Sequence, residues 1–436
     1  MGPAGVALRA GRRGASLTEL GAQVIEGWRV SETPGALTYD PRAETTPIYR
    51  QSNLGRLRLH LGPSHWATPS MTEHWCIQPG DVVLNKLGPV RAALVPPAAR
   101  RHPVDGNSLI VRGLPLPAAA WLAVCLNQSA YEDLLVIESG ILRRVGVKTL
   151  LGLRLPPVPG EMGAAAQTLV EVADELLLAG EALERLKGEA TSATEASLSV
   201  RDLREGAFFP AASMSAVNWL PSTVSMRADH DYLAGLLAWM PIGSVATAAE
   251  RVRLEVAPVG ARVLRLGDVG DDLFVGAATP EVLAADMPVG RVLRTPLLPG
   301  EVLVSTLGSS FRVAYVDDGV DRTMFPTDGW GRLRFRETPA AWALLLSTPQ
   351  ARQQAARLAI GTVQQFVPAD ALLSIHLPVP ERDLRDRWQR TLERHLALRR
   401  RLEVRWAEIV AAMGRLYEAA HEIVGSGGPR FQEARA

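Results

Sequence analysis

The chain has little cysteine, no long apolar run and no excess of charge of either sign. Two cysteines in 436 residues, Cys76 and Cys125, cannot make a disulfide framework, and their scarcity fits a reducing compartment. No apolar run approaches the roughly 18 residues needed to span a bilayer; residues 118–126 form one of the longest. Arg9, Arg12 and Arg13 stand near the start without an apolar core after them, so no signal peptide is expected. The expected location is the cytoplasm, without membrane contact. Forty-seven Lys and Arg against 46 Asp and Glu leave a net charge of +1. Any nucleic-acid binding must therefore come from local basic faces.

Catalytic signatures are missing too. There is no Asn/Asp-Pro-Pro-Tyr of the kind that amino-methyltransferases use to hold a flipped base. The phosphate loop G-x-x-x-x-G-K-[ST], the dinucleotide fingerprint G-x-G-x-x-G and the nucleophile elbow G-x-S-x-G are all absent. His65, His74 and Cys76 have no zinc-ligand spacing and are read as core or surface residues. Asp229, His230 and Asp231 are read as a polar helix start rather than a metal site.

What is present is an internal repeat. Residues 77–95 read IQPGDVVLNKLGPVRAALV and residues 297–316 read LLPGEVLVSTLGSSFRVAYV. Pro79-Gly80-Asp81 aligns with Pro299-Gly300-Glu301 at an offset of 220. Trp121 aligns with Trp342, Gly140 with Gly361, and Pro157-Val158-Pro159 with Pro378-Val379-Pro380, all at 221. Each copy is far too long for a solenoid unit, so this is a duplicated domain. Each copy is rich in short strands and turns, then carries a helix at 117–135 or 339–358, with Trp121 and Trp342 as core residues. Each ends in a proline-rich exit, LRLPPVP or IHLPVP, which breaks regular structure.

A proline-free helical stretch follows each exit. Leu169, Val172, Leu176, Ala179, Leu183 and Leu186 step by three and four residues, an a/d seam. The seam recurs as Trp388, Leu392, His395, Arg399, Leu402, Trp406, Ile409, Met413 and Leu416. The first stretch carries eight acids against two bases, and the second ten arginines against eight acids. Unlike charge and matching seams suit pairing of the two helices. The expected class is α+β, with two duplicated β-rich domains separated and followed by long helices that pair as an antiparallel coiled coil. The expected division is a first domain at 1–159, a helix at 160–197, a connector at 198–239, a second domain at 240–380, a helix at 381–424 and a tail at 425–436.

This order resembles the specificity subunits of type I restriction-modification systems. The resemblance covers about residues 16–424 and rests on the duplicated PGD/E segments, on GILRRVGVKTLLGLRLPPVP (140–159) and GTVQQFVPADALLSIHLPVP (361–380), and on SMRADHDYL (225–233). The family's Glu-Gln pair after the prolines is replaced here by Gly160-Glu161 and Glu381-Arg382.

The resemblance implies a non-catalytic subunit whose two target-recognition domains each read half of a split double-stranded DNA site. Its paired helices would hold a spacer and dock DNA adenine methyltransferase subunits, two of them by pseudo-symmetry, with a restriction/translocase subunit as a further partner. No cofactor belongs to this chain; S-adenosylmethionine would sit in the methyltransferase, and ATP and Mg in the motor-nuclease. Two different domains imply an asymmetric site. The resemblance also implies a role in phage defence by DNA methylation and restriction. A scaffold that organises such a complex after losing DNA reading is the rival from another class.

Candidate DNA contacts are basic and amide residues in turns. In the first domain these are Lys86, Arg91, Arg100, Arg101, Arg143, Arg144 and Lys148. In the second they are Ser309, Ser310, Arg312, Arg332 and Arg334, with Gln364 and Gln365 after Gly361. Arginine pairs bidentately with guanine and glutamine with adenine, while hydroxyls and lysine hold phosphate. Leu169, Leu176, Leu183, Leu392, Leu402, Trp406 and Ile409 are the expected partner-docking residues on the helices.

Overall fold

The computed structural model describes residues 14–28, 37–38, 46–60, 65–67, 73–129, 131, 135–139, 142–197, 239–249, 261–276, 295–306, 311–327, 329–360 and 366–426. The chain forms two units. One is Met1–Leu178 with Val404–Ala436, and the other is Ala179–Glu403.

The first unit contains β1 (Gln23–Glu26), β2 (Leu37–Thr38), β3 (Thr46–Ile48), β4 (His65–Ala67), β5 (Val82–Asn85), β6 (Ala92–Leu94), β7 (Ser108–Arg112), β8 (Val136–Ser139) and β9 (Leu142–Val145). Helices α1 (Leu116–Leu126) and α2 (Val147–Leu151) belong to it, as does the start of α3 (Met162–Ser197). Its central sheet runs in the order β1-β7-β5-β6, all antiparallel.

Ile25, Ile110, Val83 and Ala93 lie in one row across that sheet and share one core cluster with Tyr49, Leu54 and Val104. Their strand neighbours Val82, Leu84, Leu109 and Val111 point to the other face and join α1. Both faces are covered, which is why VVLN and SLIVR read as nearly unbroken apolar runs. Each such side chain contributes about 1.5–3 kcal/mol by leaving water. Helix α1 is buried on every side from Ala118 to Leu126, as an all-apolar helix must be.

The second unit contains β10 (Trp239–Pro241), β11 (Ala246–Ala248), β12 (Arg262–Leu264), β13 (Leu273–Phe274), β14 (Glu301–Ser305), β15 (Val313–Tyr315), β16 (Met324–Pro326), β17 (Trp330–Phe335) and β18 (His376–Pro378). Its helices are α4 (Pro339–Leu346), α5 (Pro349–Leu358), α6 (Ala369–Leu372) and the first part of α7 (Arg382–Ser426). Its main sheet runs β11-β17-β14-β15-β13, with β13 parallel to β15. Again one face joins a helix, α4, and the other forms its own cluster around Leu303 and Ala314. The strands β7, β5 and β6 thus have counterparts in β17, β14 and β15, joined in the same order.

The expected spacer helices are built into the two units rather than standing apart. Up to Leu178, α3 belongs to the first unit, and from Ala179 to the second; α7 divides between Glu403 and Val404. In the first unit Met162, Ala166, Leu169 and Val172 share a core with Trp406 and Met413, against which Leu176 and Ile409 also pack. In the second, Leu183, Leu186 and Ala190 share a core with Trp388, Leu392 and Leu396.

This corrects the expected docking residues. Leu169, Leu183, Leu392, Leu402 and Trp406 are buried, and Leu176 and Ile409 are partly buried. Their apolar side chains are interior packing. The connector lies outside the described residues up to 238, and the tail from 427.

Candidate nucleic-acid interface

The two copies of the PGD/E segment build the same turn. Pro79 and Gly80, or Pro299 and Gly300, occupy its centre, and the residue after them donates its N–H back across it, Asp81 to Gln78 at 3.0 Å and Glu301 to Leu298 at 3.2 Å. The glycines take φ of 86° and 85°, the left-handed value that the third position of a type II turn demands. Each carboxylate then accepts the N–H that opens the turn, Gln78 at 2.8 Å and Leu298 at 3.2 Å. Each also meets an arginine from the neighbouring strand: Arg112 to Asp81 at 2.7 Å, and Arg334 to Glu301 at 2.9 Å. This repeated motif is therefore an internal fastening.

The loop that leaves the other end of β5 is exposed at Gly88 and Pro89. Asn85, 1% exposed, ties the loop that leaves the strand. Its Nδ2 donates to the Leu87 and Pro89 carbonyls at 2.6 and 2.8 Å, and its Oδ1 accepts the Arg91 N–H at 2.6 Å. In the second unit Ser305 takes its place, with its hydroxyl accepting the Arg312 N–H at 2.8 Å. Beside the first loop, β9 is bound to it through the Val145 N–H, which donates to the Lys86 carbonyl at 2.9 Å.

Here the first unit has a cleft of about 440 Å³, lined by Arg50, Gln51, Ser52, Asn85, Pro89, Arg91, Asp105 and Asn107. Arg50 to Asn53 form a capped turn in which the Asn53 side chain accepts the Arg50 N–H at 2.9 Å, which leaves Gln51 and Ser52 exposed. Asp105 is nearly buried; it accepts from Arg50 Nε at 3.3 Å, the Ser108 hydroxyl at 3.0 Å and the Asn107 N–H at 3.2 Å. Guanidinium, amide and hydroxyl groups line the opening, and its one carboxylate is already engaged. Such walls can meet base edges and phosphate oxygens.

The expected contact residues separate into groups. Arg91 lines the cleft, and Arg144 stands exposed on β9 where its backbone bridges Leu87. Lys148 is exposed on α2. Arg143 lies on β9, with its side chain outside the described set. Lys86 is mostly buried and pairs with Glu26 at 3.4 Å. Arg100 and Arg101 are exposed at the opposite end of the sheet, beside the Pro79-Gly80 turn: Ile77 donates to the His102 carbonyl, and Gly80 to the Val95 carbonyl. The structure does not bring them to the cleft.

Two expectations in the second unit are corrected. Arg332 is 6% exposed, bonded to Glu301 at 2.6 Å and to the Thr295 and Pro296 carbonyls, so it cannot reach a groove. Arg312 turns inward to the Leu266 and Val269 carbonyls at 2.6 and 2.7 Å. Arg334 is half-exposed while paired with Glu301. Ser309, Ser310, Gln364 and Gln365, and the segment 228–231, lie outside the described residues.

Arg50, Gln51, Ser52, Asn85 and Asn107 were not among the expected contacts. Their signal is the polar run RQSN at 50–53 and the turn residues Asp105-Gly106-Asn107, which mark loops by their side-chain chemistry rather than by charge. Among the described residues no helix is long and apolar enough to cross a membrane, and no group of three or more His, Cys, Asp or Glu could hold a metal ion.

The fold is that of an α+β protein in which one frame is built twice and differs at the loop ends. Over 96% of its length the chain is similar to the S subunit of a type I restriction-modification system from M. genitalium, at 9% identity and a TM-score of 0.41, with 96% of that chain covered. It is also similar over 93% of its length to the HsdS subunit from Thermoanaerobacter tengcongensis, at 16% identity and a TM-score of 0.26, with 97% of that chain covered. No family model and no curated protein matches the chain.

Proposed function

We propose that this chain is the non-catalytic DNA-specificity subunit of a type I-like restriction-modification or related phage-defence complex. It acts in the cytoplasm and reads an asymmetric split site in double-stranded DNA, one half with each head. Two adenine methyltransferase subunits dock on the outward faces of α3 and α7, and a restriction/translocase subunit joins them. S-adenosylmethionine, ATP and Mg are held by those partners. One observation carries this reading: the frame is repeated to the level of its turn and ion pair, while the loop ends carry Asn85 and Arg91 in one copy and Ser305 and Arg312 in the other. Two readers with shared support and different tips suit two different half-sites.

The test is co-purification with the neighbouring methyltransferase gene product and long-read mapping of methylated adenines with and without the chain. Methylation at one asymmetric split motif, lost without the chain, is the expected result. Methylation that does not change would reject it.

A second reading is favoured by the inward arginines of the second unit, Arg312 and Arg332. On it the chain is a scaffold of the same kind of complex, without sequence reading. DNA affinity that barely changes between low and high salt would support the scaffold, because phosphate contacts make affinity fall steeply with salt.

A further inference from the structure

We propose that the cleft at the 86–91 end of the first unit's sheet is where that head reads a base, with Arg91 set against a guanine and Asn85 as the residue that positions it. This rests on the DNA-reading function proposed above.

The base follows from the chemistry of Arg91 among the groups that line the walls. Arg50 and Arg91 offer guanidinium donors, Ser52 a hydroxyl, and Gln51 and Asn107 amides. The carboxylate of Asp105 is engaged by Arg50, Ser108 and Asn107. The amides and the hydroxyl both donate and accept, whereas the guanidinium fork of Arg91 only donates and so suits the O6 and N7 acceptors of guanine. Arg91 is exposed, and its backbone N–H is held by the buried Asn85 side chain. A single buried side chain, Asn85, holds three backbone groups of the loop, so Arg91 starts from a set position and loses less freedom on binding.

The second unit supplies the contrast. Ser305 accepts the Arg312 N–H as Asn85 accepts that of Arg91, so the backbone placement is shared. The Arg312 guanidinium then turns to two carbonyls of its own unit. The same frame thus has one guanidinium directed at solvent and one directed inward, and of these two only the first is available to a base.

The experiment is selection from a randomised duplex library by the full chain with its methyltransferase partner. The variants are Arg91→Ala, Arg91→Lys and Asn85→Ser. The intact protein selects a split motif. Arg91→Ala relaxes one guanine position in one half-site by about tenfold to a hundredfold and leaves the other half-site intact. Arg91→Lys relaxes the same position, because an ammonium lacks the guanidinium fork. Asn85→Ser, which places the second unit's residue in the first, relaxes that same position less than Arg91→Ala does. A purely structural role for Asn85 would lower all positions together.

If the intact protein selects a motif and Arg91→Ala changes no position, or weakens all equally, the cleft assignment is overturned and Arg91 is at most a phosphate contact. If the intact protein selects no motif, the DNA-reading function falls first and the cleft with it.

Discussion

Where the first unit buries Ile110, the second buries Arg332. Both residues sit on the strand beside the one that follows the PGD/E turn, opposite Val83 in one copy and Leu303 in the other. The charge is tolerated because Asp81 is replaced by Glu301, whose longer side chain reaches both Arg332 and Arg334. Asp81 meets Arg112. A frame can thus survive duplication while one apolar contact becomes an ion pair, provided both partners change. The lesson is that an exposed-looking arginine pattern in a sequence is no evidence of DNA contact until the carboxylates around it are accounted for.

The largest expected effect breaks that pair. Glu301→Ala leaves a buried guanidinium without its partner and should destabilise the second unit by about 3–5 kcal/mol. Asp81→Ala leaves the more exposed Arg112, which keeps its bond to the Cys76 carbonyl, and should cost the first unit about 1–3 kcal/mol. Hydrogen exchange of β14–β17 and of β5–β7 amides separates the two; equal losses would end the comparison. The double change Glu301→Asp with Arg332→Ile copies the first unit into the second and should stay within about 1.5 kcal/mol of the parent.

A smaller effect separates Arg312 from Arg91. Arg312→Ala leaves two half-buried carbonyls without their donor and should cost about 1–3 kcal/mol in urea titration. Arg91→Ala, at an exposed position, should stay within about 0.5 kcal/mol. The order would be reversed if Arg312 were the reading residue and Arg91 the structural one.

The smallest effect is a pH dependence confined to the second unit. The Thr323 N–H, followed by its hydroxyl, holds the Asp321 carboxyl below its usual range, with Arg262 adding to the effect. Its folded value is depressed, so the stabilisation is present above the unfolded value of about 3.9 and is lost as pH falls through the folded one. The group is largely exposed, so the contribution is a few tenths of a kcal/mol. Asp321→Asn should flatten the acid limb of the second unit's denaturation curve by that amount and leave the first unit's curve alone.

Much of the frame is legible in the sequence. The turn residues at 79–81 and 299–301 announce the repeat because a type II turn allows few residues at its centre. The helices at Met162–Ser197 and Arg382–Ser426 are visible from their period and lack of proline. Other features are hidden. The alternation of GRLRFRE marks β17, and strand parity puts Arg332 and Arg334 on one face. Parity cannot say that the face is covered at Arg332 and open at Arg334. The seam count likewise places His395 and Arg399 inward. Leu396 fills the core, while Arg399 bonds Asp272 and lies over the Phe274 ring. At the cleft the wall comes from three loops far apart in sequence, and no local pattern joins Arg50 to Arg91 and Asn107.

The division of the two long helices has a consequence for heredity. The second unit is one unbroken coding stretch, Ala179–Glu403, whereas the first is encoded in two pieces on either side of it. A single exchanged gene cassette spanning that stretch would carry the whole second unit with its own share of both helices. The first unit can be inherited whole only with both flanks together, so an exchange that keeps each unit intact must have its junctions inside the helices rather than at the proline exits.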